Sequence, residues 1–162
     1  MKREPKLDAV DRRILQILQR EGRISNVDLA KRVHLSPTPC FERMRRLEES
    51  GYITGYAARL SPPKLGLGLL AFVEVSLDKT NPTAFDQFRD AVAAMPEVQE
   101  CHMVAGGFDY LIKLRVTDMT AYRRFLGERV SALPAVSRTH TYFVMEEVKS
   151  SQELPIAARA SA

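Results

Sequence analysis

The first third of the chain places apolar residues at helical spacing, three or four positions apart. Asp8 and Ser25 stand where caps of the first two helices belong, and Gly22 and Gly51 stand where the first and third would end. The predicted apolar faces are Val10, Ile14, Ile17 and Leu18; Leu29, Ala30 and Val33; and Cys40, Met44 and Leu47. This periodicity predicts three short helices that share one small core.

The third predicted helix begins with two prolines, in the stretch SPTPC. Proline is tolerated in the first turn of a helix, because the missing N–H would have no partner there. Either Ser36 or Thr38 can cap this helix, although Thr38 precedes a proline and so disfavours helical dihedral angles. We expect Arg43 and Arg46 to lie away from the apolar face, and Arg45 on either flank.

Three helices with a tight turn between the second and third are typical of a helix-turn-helix DNA-binding domain, here residues 1–54. The alternating stretch around Gly55 predicts a small hairpin, or wing, so that this domain is winged-helix-like. Residues 55–67 then form the hairpin and linker.

Residues 68–150 alternate between strand and helix patterns in the order β-α-β-β-α-β, which predicts a ferredoxin-like domain. The last predicted helix is expected to bury Met119, Tyr122 and Leu126. The fold class is therefore α+β, and residues 151–162 are expected to form a flexible tail.

Charge is distributed unevenly between the two halves. The chain has a net charge of +4, but residues 1–65 hold 14 basic and 8 acidic residues and carry +6. A basic first third indicates a polyanionic partner, here double-stranded DNA, although a charge run can also be a solvated helix face. Serine, threonine and arginine suit contacts with phosphates and base edges, whereas Lys31 and Arg32 are either phosphate contacts or plain surface. The candidate DNA-binding residues are Ser25, Lys31, Arg32, Ser36, Thr38, Pro39, Arg43 and Arg46.

Other function classes find little support. Cys40 and Cys101 lie far apart without metal-ligand spacing, and we interpret Cys40 as a small apolar core residue. Cys101 and His102 are neighbours on a predicted strand, so they face opposite sides and cannot form a nucleophile–base pair. The sheet lacks the paired aromatics of an RNA-binding domain. We expect no enzyme activity, no metal site, no membrane span or signal peptide, and a cytoplasmic location.

Four motifs, LDAVDRRILQILQREGRISNVDLAKRVHLSPTPCFERMRRLEESGYI, FDYLIK, DMTAYR and TYFVMEEVK, resemble the Lrp/AsnC (feast/famine) family of transcription regulators. The resemblance runs from about Leu7 to Val148. It implies a C-terminal domain that dimerises through its sheet and assembles into larger rings or octamers. It also implies a protein that binds DNA as a dimer, bends or wraps it, and activates some promoters while repressing others.

The resemblance also implies a free amino acid as effector, with leucine favoured, and no other cofactor. The implied effector-binding residues are Gly106, Gly107, Asp109, Met119, Tyr142 and Val144. From the residues alone, the glycines also suit a simple hairpin turn, and Asp109 could cap it. Ala105 and Gly107 depart from the family's usual residues, so a local regulator of one catabolic operon, with a different amino-acid effector, stays open.

Overall fold

The structure, a computed structural model, describes residues 6–78, 82–133 and 135–157. Within these ranges, none of the helices combines the length and the apolar character needed to cross a membrane.

The described chain divides into two compact units. The first contains residues 6–59 together with 150–157, and the second contains residues 60–149. We predicted a helix-turn-helix domain over 1–54 and a ferredoxin-like domain over 68–150, so the connecting residues 55–67 are shared between the two units.

The first unit contains the three predicted helices: α1 (Ala9–Leu18), α2 (Asn26–Arg32) and α3 (Pro37–Glu49). Asp8 caps α1 and Ser25 caps α2, each by accepting a hydrogen bond from the backbone three residues on. The buried core consists of Ile14, Ile17, Leu18, Leu29, Ala30, Val33, Cys40 and Leu47. The periodicity therefore identified the core of this unit correctly, with Val10 and Met44 packed at its margin.

Helix α3 begins and ends as its sequence requires. Ser36 is the N-cap residue and Pro37 is the first helical residue, so both prolines occupy the first turn. At the other end Gly51 has a φ of +72°, a left-handed conformation that glycine adopts without a Cβ clash. Tyr52 then donates from its backbone N–H to the Leu47 carbonyl at 2.9 Å, which completes the C-terminal turn.

The predicted hairpin around Gly55 is absent. No strand is present over residues 52–60, all of which the structure describes. An isolated two-stranded hairpin is only marginally stable, and here Tyr56 packs back onto the helices instead. Its hydroxyl donates to Glu48 Oε1 on α3 at 2.9 Å, and partial burial followed by this bond raises the pKa of Tyr56 to about 12.

The second unit has the predicted β-α-β-β-α-β order. Its elements are β1 (Leu69–Leu77), α4 (Pro82–Ala93), β2 (Val98–Met103), β3 (Tyr110–Val116), α5 (Met119–Phe125) and β4 (Val136–Phe143). The antiparallel sheet has the strand order β2-β3-β1-β4, which confirms the α+β, ferredoxin-like prediction. One sheet face packs on α4 and α5, with Val73, Phe88 and Ile112 fully buried between them.

Helix α5 differs from the expectation in which residues it buries. Tyr122 and Phe125 enter the core, whereas Met119 is 48% exposed. Met119 is the first helical residue, directly after the capping Asp118, so it lies beyond the edge of the sheet-facing stripe. The chain continues from α5 into a π-helical turn over Leu126–Val130.

Residues 151–157, expected to be part of a flexible tail, are instead held against α1. Gln16 Nε2 donates to the Ile156 carbonyl at 2.8 Å, and Arg20 pairs with Glu153 at 2.9 Å. The bond from Gln16 is made to a backbone carbonyl, and the sequence of the tail does not reveal such a contact. The remainder of the predicted tail, 158–162, lies outside the described residues.

Candidate nucleic-acid interface and effector site

The outward face of α3 contains exposed side chains of different chemistry, among them the acidic Glu42 and Glu49 that pair with Arg45. Thr38, Phe41 and Arg45 follow each other at three- and four-residue spacing, away from the buried Cys40 and Leu47. The face thus offers a hydroxyl, an aromatic ring and a guanidinium, three of the groups that contact base edges and phosphates.

The beginning of α3 supplies further polar groups. The hydroxyl of Ser36 makes no capping hydrogen bond, and both Thr38 and Pro39 are exposed beside it. The Pro37 carbonyl accepts a hydrogen bond from Asn26 Nδ2 at 2.9 Å, which ties the start of α3 to α2. The N-terminal turn of α3 is thus held in place while its hydroxyls stay accessible.

Arg43 and Arg46 lie away from the apolar face as expected, Arg46 exposed and Arg43 half-buried, but both are paired with carboxylates at the start of α1. Arg46 Nη2 lies 2.6 Å from both carboxylate oxygens of Asp11, on α1. Arg43 Nη1 lies 2.8 Å from Asp11 Oδ1 and 2.6 Å from Asp8 Oδ2. Both arginines lie on the flank of α3 between its buried and outward faces, so they reach the neighbouring helix.

Asp8 and Asp11 form a reciprocal capping box at the start of α1. The Asp11 N–H donates to Asp8 Oδ1 at 2.8 Å, and the Asp8 N–H donates to Asp11 Oδ2 at 3.2 Å. Burial raises the pKa of Asp8, but the backbone bond from Asp11 and the ion pair with Arg43 outweigh it and hold that pKa below its usual value. The same two carboxylates raise the pKa of Arg43.

The predicted contacts on and before α2 are engaged in exposed interactions. Ser25 Oγ accepts from the Asp28 N–H at 3.1 Å and so acts as the cap of α2. Lys31 lies 3.2 Å from Asp28, and Arg32 forks onto Glu21. All these charged partners are exposed, and exposed ion pairs contribute little stability, so the two cations can exchange partners easily.

The predicted effector loop connects β2 to β3. Gly106 and Gly107 are exposed, and a Cβ added at either would meet nothing within 4 Å. Gly106 and Gly107 both have a negative or extended φ, unlike the left-handed Gly51 and Gly66. Nothing in the described part of one chain therefore requires glycine at these two positions.

Asp109 ties this loop to the end of β1. Its Oδ2 accepts from the Leu77 N–H at 2.7 Å, and its own N–H donates to the Val75 carbonyl at 3.0 Å. The Oδ2 oxygen therefore bonds to β1 and not to the turn between β2 and β3 that Asp109 could have capped. The other oxygen, Oδ1, has no hydrogen bond to the part of the chain that the structure describes.

The apolar residues predicted to complete the effector site do not meet within one chain. Met119 starts α5, on the helix-covered face of the sheet. Tyr142 is 50% exposed on the opposite face, where its hydroxyl donates to Glu74 Oε1 at 3.1 Å and its ring contacts His140. Val144 follows β4 and donates from its N–H to the Leu70 carbonyl.

An open cleft of about 260 Å³ does lie on the uncovered sheet face. It is lined by Glu74, Ser76, Arg138, Thr139, His140 and Tyr142. Of the predicted effector residues, Tyr142 lines it. Within the described ranges, no group of three or more His, Cys, Asp or Glu side chains is arranged to hold a metal ion.

Comparison with known proteins accounts for both units. A model described as the Lrp/AsnC ligand binding domain matches residues 70–154, and one described as winged helix-turn-helix DNA-binding matches residues 7–54. The chain belongs to the Lrp/AsnC family. Its two matched domains make it a DNA-binding transcription regulator that responds to an amino acid.

Individual relatives in the Lrp/AsnC family span nearly the whole chain. The leucine-responsive regulatory proteins of Escherichia coli strain K12 and Klebsiella pneumoniae are each 58% identical over 153 residues, which is 94% of this chain and 93% of theirs. A transcriptional regulator from Neisseria meningitidis, solved as a complex with L-methionine, is 41% identical with a TM-score of 0.89. The match covers 93% of this chain and 97% of the Neisseria meningitidis protein.

Two residues of the candidate interface are not singled out by the apolar pattern. Phe41 is missed because an exposed phenylalanine is indistinguishable from a core residue in such a pattern. Arg45 is compatible with either flank, although Thr38 and Arg45 share the face opposite Cys40 and Leu47. A helical-wheel projection of α3, centred on the buried Cys40 and Leu47, would have placed both Phe41 and Arg45 away from the core.

Proposed function

We propose that this protein is a leucine-responsive regulator that activates some promoters and represses others. The observation that carries this proposal is the 58% identity to leucine-responsive regulatory proteins over 94% of the chain. A DNA target also fits the cytoplasmic location expected from the sequence.

DNA reading falls to the outward face and first turn of α3. Ser36 and Thr38 offer hydroxyls at the helix N-terminus, where recognition helices contact base edges. Arg45 suits guanine or phosphate, and the ring of Phe41 suits the methyl group of thymine. Pro39 keeps the first turn rigid. Ser25, Lys31 and Arg32 lie on and before α2 and serve as phosphate contacts once their exposed partners give way.

The effector binds where more than one copy of the chain contributes. Met119 and Tyr142 lie on opposite faces of one sheet, so a pocket that uses both must draw on a second chain. The absence of side chains at Gly106 and Gly107 leaves their backbone open, and this suits close approach by the effector carboxylate or by a second copy of the chain. Asp109 Oδ1 is the acceptor for the α-ammonium group, and Val144 lines the apolar side.

The same reasoning supports self-association into a dimer or a larger assembly. The uncovered sheet face carries half-buried apolar residues such as Phe72 and Leu111, and an exposed Tyr142, beside charged groups. A second copy placed against this face buries them. Sedimentation velocity, with and without leucine, measures the assembly and any change the effector makes to it.

Selection from a randomised duplex library tests the DNA half of the proposal. We expect the protein to enrich a pseudo-palindromic sequence, because a symmetric dimer reads two half-sites. Affinity for the enriched duplex should fall steeply with salt, since phosphate contacts release counterions. If no sequence is enriched over several rounds, α3 does not read DNA bases.

Calorimetric titration with individual amino acids tests the effector half. Leucine is expected to bind most tightly. The alternative is a local regulator of one amino-acid catabolic operon with a different effector, and the Neisseria meningitidis relative solved with L-methionine supports only the different effector. A preference for methionine or another amino acid over leucine would favour that alternative.

A further inference from the structure

Arg43 and Arg46 differ from the other cations of the first unit in the partner they hold. Lys31, Arg32 and Arg45 pair with carboxylates that are about half exposed or more. Arg43 and Arg46 share Asp11, whose side chain is 1% exposed and belongs to a different helix. These two arginines alone, among the ion pairs of described residues on α3, connect it to α1.

The carboxylate of Asp11 is fully occupied. Oδ1 accepts from both Arg43 and Arg46, and Oδ2 accepts from Arg46 and from the Asp8 N–H. Removing the arginines would leave an ionised carboxylate buried with a single hydrogen bond, which is strongly unfavourable. Arg45, in contrast, can leave its exposed partners Glu42 and Glu49 at little cost.

The positions of these arginines around the helix give them separate tasks. Arg45 shares the outward face with Thr38, whereas Arg43 and Arg46 share the flank that faces α1. Two ion pairs one helical turn apart fix both the distance of α3 from α1 and the rotation of α3 about its own axis. A rotation of α3 by one residue would turn Thr38 and Arg45 away from the outward face.

We propose that Arg43 and Arg46 are positioning residues, which lock the recognition helix onto Asp11 and Asp8 of α1 so that Thr38, Phe41 and Arg45 face the DNA. This inference rests on the proposed DNA-binding function, and it replaces the direct DNA contacts that the sequence suggested for Arg43 and Arg46. The DNA affinity thereby depends on a carboxylate, Asp11, that never touches DNA.

Asp11→Asn distinguishes positioning from direct contact by the sign of its effect. If Arg43 and Arg46 contact phosphates, removing the carboxylate frees two arginines and adds one positive charge, so affinity stays equal or rises. If they position α3, the same substitution loosens the helix and affinity falls. Arg43→Gln and Arg46→Gln test the other side of each pair, and Arg45→Gln on the same helix is the matched control.

Fluorescence anisotropy on the enriched duplex measures these variants across a salt series. All measurements are made at a temperature where circular dichroism shows each variant to be folded, so that lower stability alone cannot change the affinity. We expect Asp11→Asn, Arg43→Gln and Arg46→Gln to weaken specific binding about tenfold or more with an unchanged salt slope. Arg45→Gln should instead reduce the slope by about 1 for each phosphate that the variant no longer neutralises.

The opposite pattern overturns the proposal. Asp11→Asn would then bind as tightly as the wild type or more tightly, and Arg46→Gln would reduce the salt slope as Arg45→Gln does. A charge-conserving check uses Arg46→Lys, which keeps the positive charge available to a phosphate but has a shorter side chain than the guanidinium whose Nη2 reaches both Asp11 oxygens. Positioning predicts a loss of specific affinity for this variant, whereas phosphate contact predicts near-normal affinity.

Amide hydrogen exchange examines the locked helix without DNA. In Asp11→Asn we expect faster exchange in α3 than in the wild type, with exchange in β1 unchanged. Equal exchange in α3 would mean that the ion pairs do not hold the helix, and the proposal is then wrong. Failure of the proposed DNA-binding function gives a different result. In that case the wild-type protein enriches no duplex, although Asp11→Asn still speeds amide exchange in α3.

Discussion

Gln19, the C-cap residue of α1, pairs with the backbone of Leu154 through both polar atoms of its side-chain amide. Its Nε2 donates to the Leu154 carbonyl at 3.1 Å, and its Oε1 accepts from the Leu154 N–H at 2.9 Å. This is the hydrogen-bonding pattern of a neighbouring strand, supplied here by one side chain. The C-terminal segment is therefore a part of the helical unit.

Gln19→Ala removes both bonds and should lower the free energy of unfolding of the first unit by about 1 kcal/mol. Removal of residues 151–162 should lower it further, because the bonds that Gln16 and Arg20 make to this segment are removed as well. Calorimetric unfolding measures both effects. Gln87→Ala, an exposed glutamine on α4, is the matched control and should change little. A truncated protein as stable as the full chain would show that the tail contributes nothing.

Asp8 should make the first unit sensitive to acid. The folded pKa of Asp8 lies below its ordinary value of 3.8, so the unfolded state takes up the proton more readily as the pH falls. The stability due to Asp8 is complete above that ordinary value and is lost as the pH drops through the folded pKa. Urea unfolding should therefore find Asp8→Asn less stable than the wild type at pH 6, with the difference shrinking at pH 3. A difference that grows on acidification would contradict this assignment.

Asp109→Asn should separate effector binding from folding. Asparagine keeps a carbonyl oxygen that can accept from the Leu77 N–H, but it lacks the charge proposed for the α-ammonium contact. We expect normal DNA affinity and normal thermal unfolding, with the response of DNA binding to leucine abolished. Asp90→Asn, at an exposed position on α4, is the control and should respond as the wild type does. A normal response from Asp109→Asn places the effector elsewhere.

His34→Gly should stabilise the turn between α2 and α3. His34 has a φ of 57°, in the left-handed region where a Cβ is unfavourable by about 1 kcal/mol. Glycine removes that strain but gains freedom in the unfolded chain, so we expect a net increase of about 0.5 kcal/mol in the free energy of unfolding. His34→Ala keeps the Cβ and should give no such increase. A less stable His34→Gly protein would mean that the imidazole makes a larger contribution than the strain.

Local signals in the sequence predicted most of the fold. Capping by Asp8 and Ser25, the prolines at the start of α3 and the alternation in β1 each depend on a few neighbouring residues, and each is present in the structure. Met119 shows the limit of periodicity, because a residue in the first turn of a helix can match the apolar spacing and still lie outside the packed face.

The candidate sites were less predictable because they depend on contacts between distant residues. Asp11 resembles a surface residue in the sequence, and only the packing of α1 on α3 shows that it is buried and binds Arg43 and Arg46. Likewise, the bonds from Gln16 and Gln19 to the tail involve backbone groups, which leave no pattern in the sequence. The resemblance of the motifs to a known family, rather than their chemistry, indicated the effector loop.

The most direct test of the regulatory function measures the linkage between effector and DNA in one titration. The purified wild-type protein is titrated onto the enriched duplex, and its fluorescence anisotropy is followed with and without leucine at fixed salt. We expect specific binding whose apparent affinity shifts with leucine and stays unchanged with an unrelated amino acid such as glycine. Specific binding that is identical with and without every amino acid would contradict a regulator of this kind.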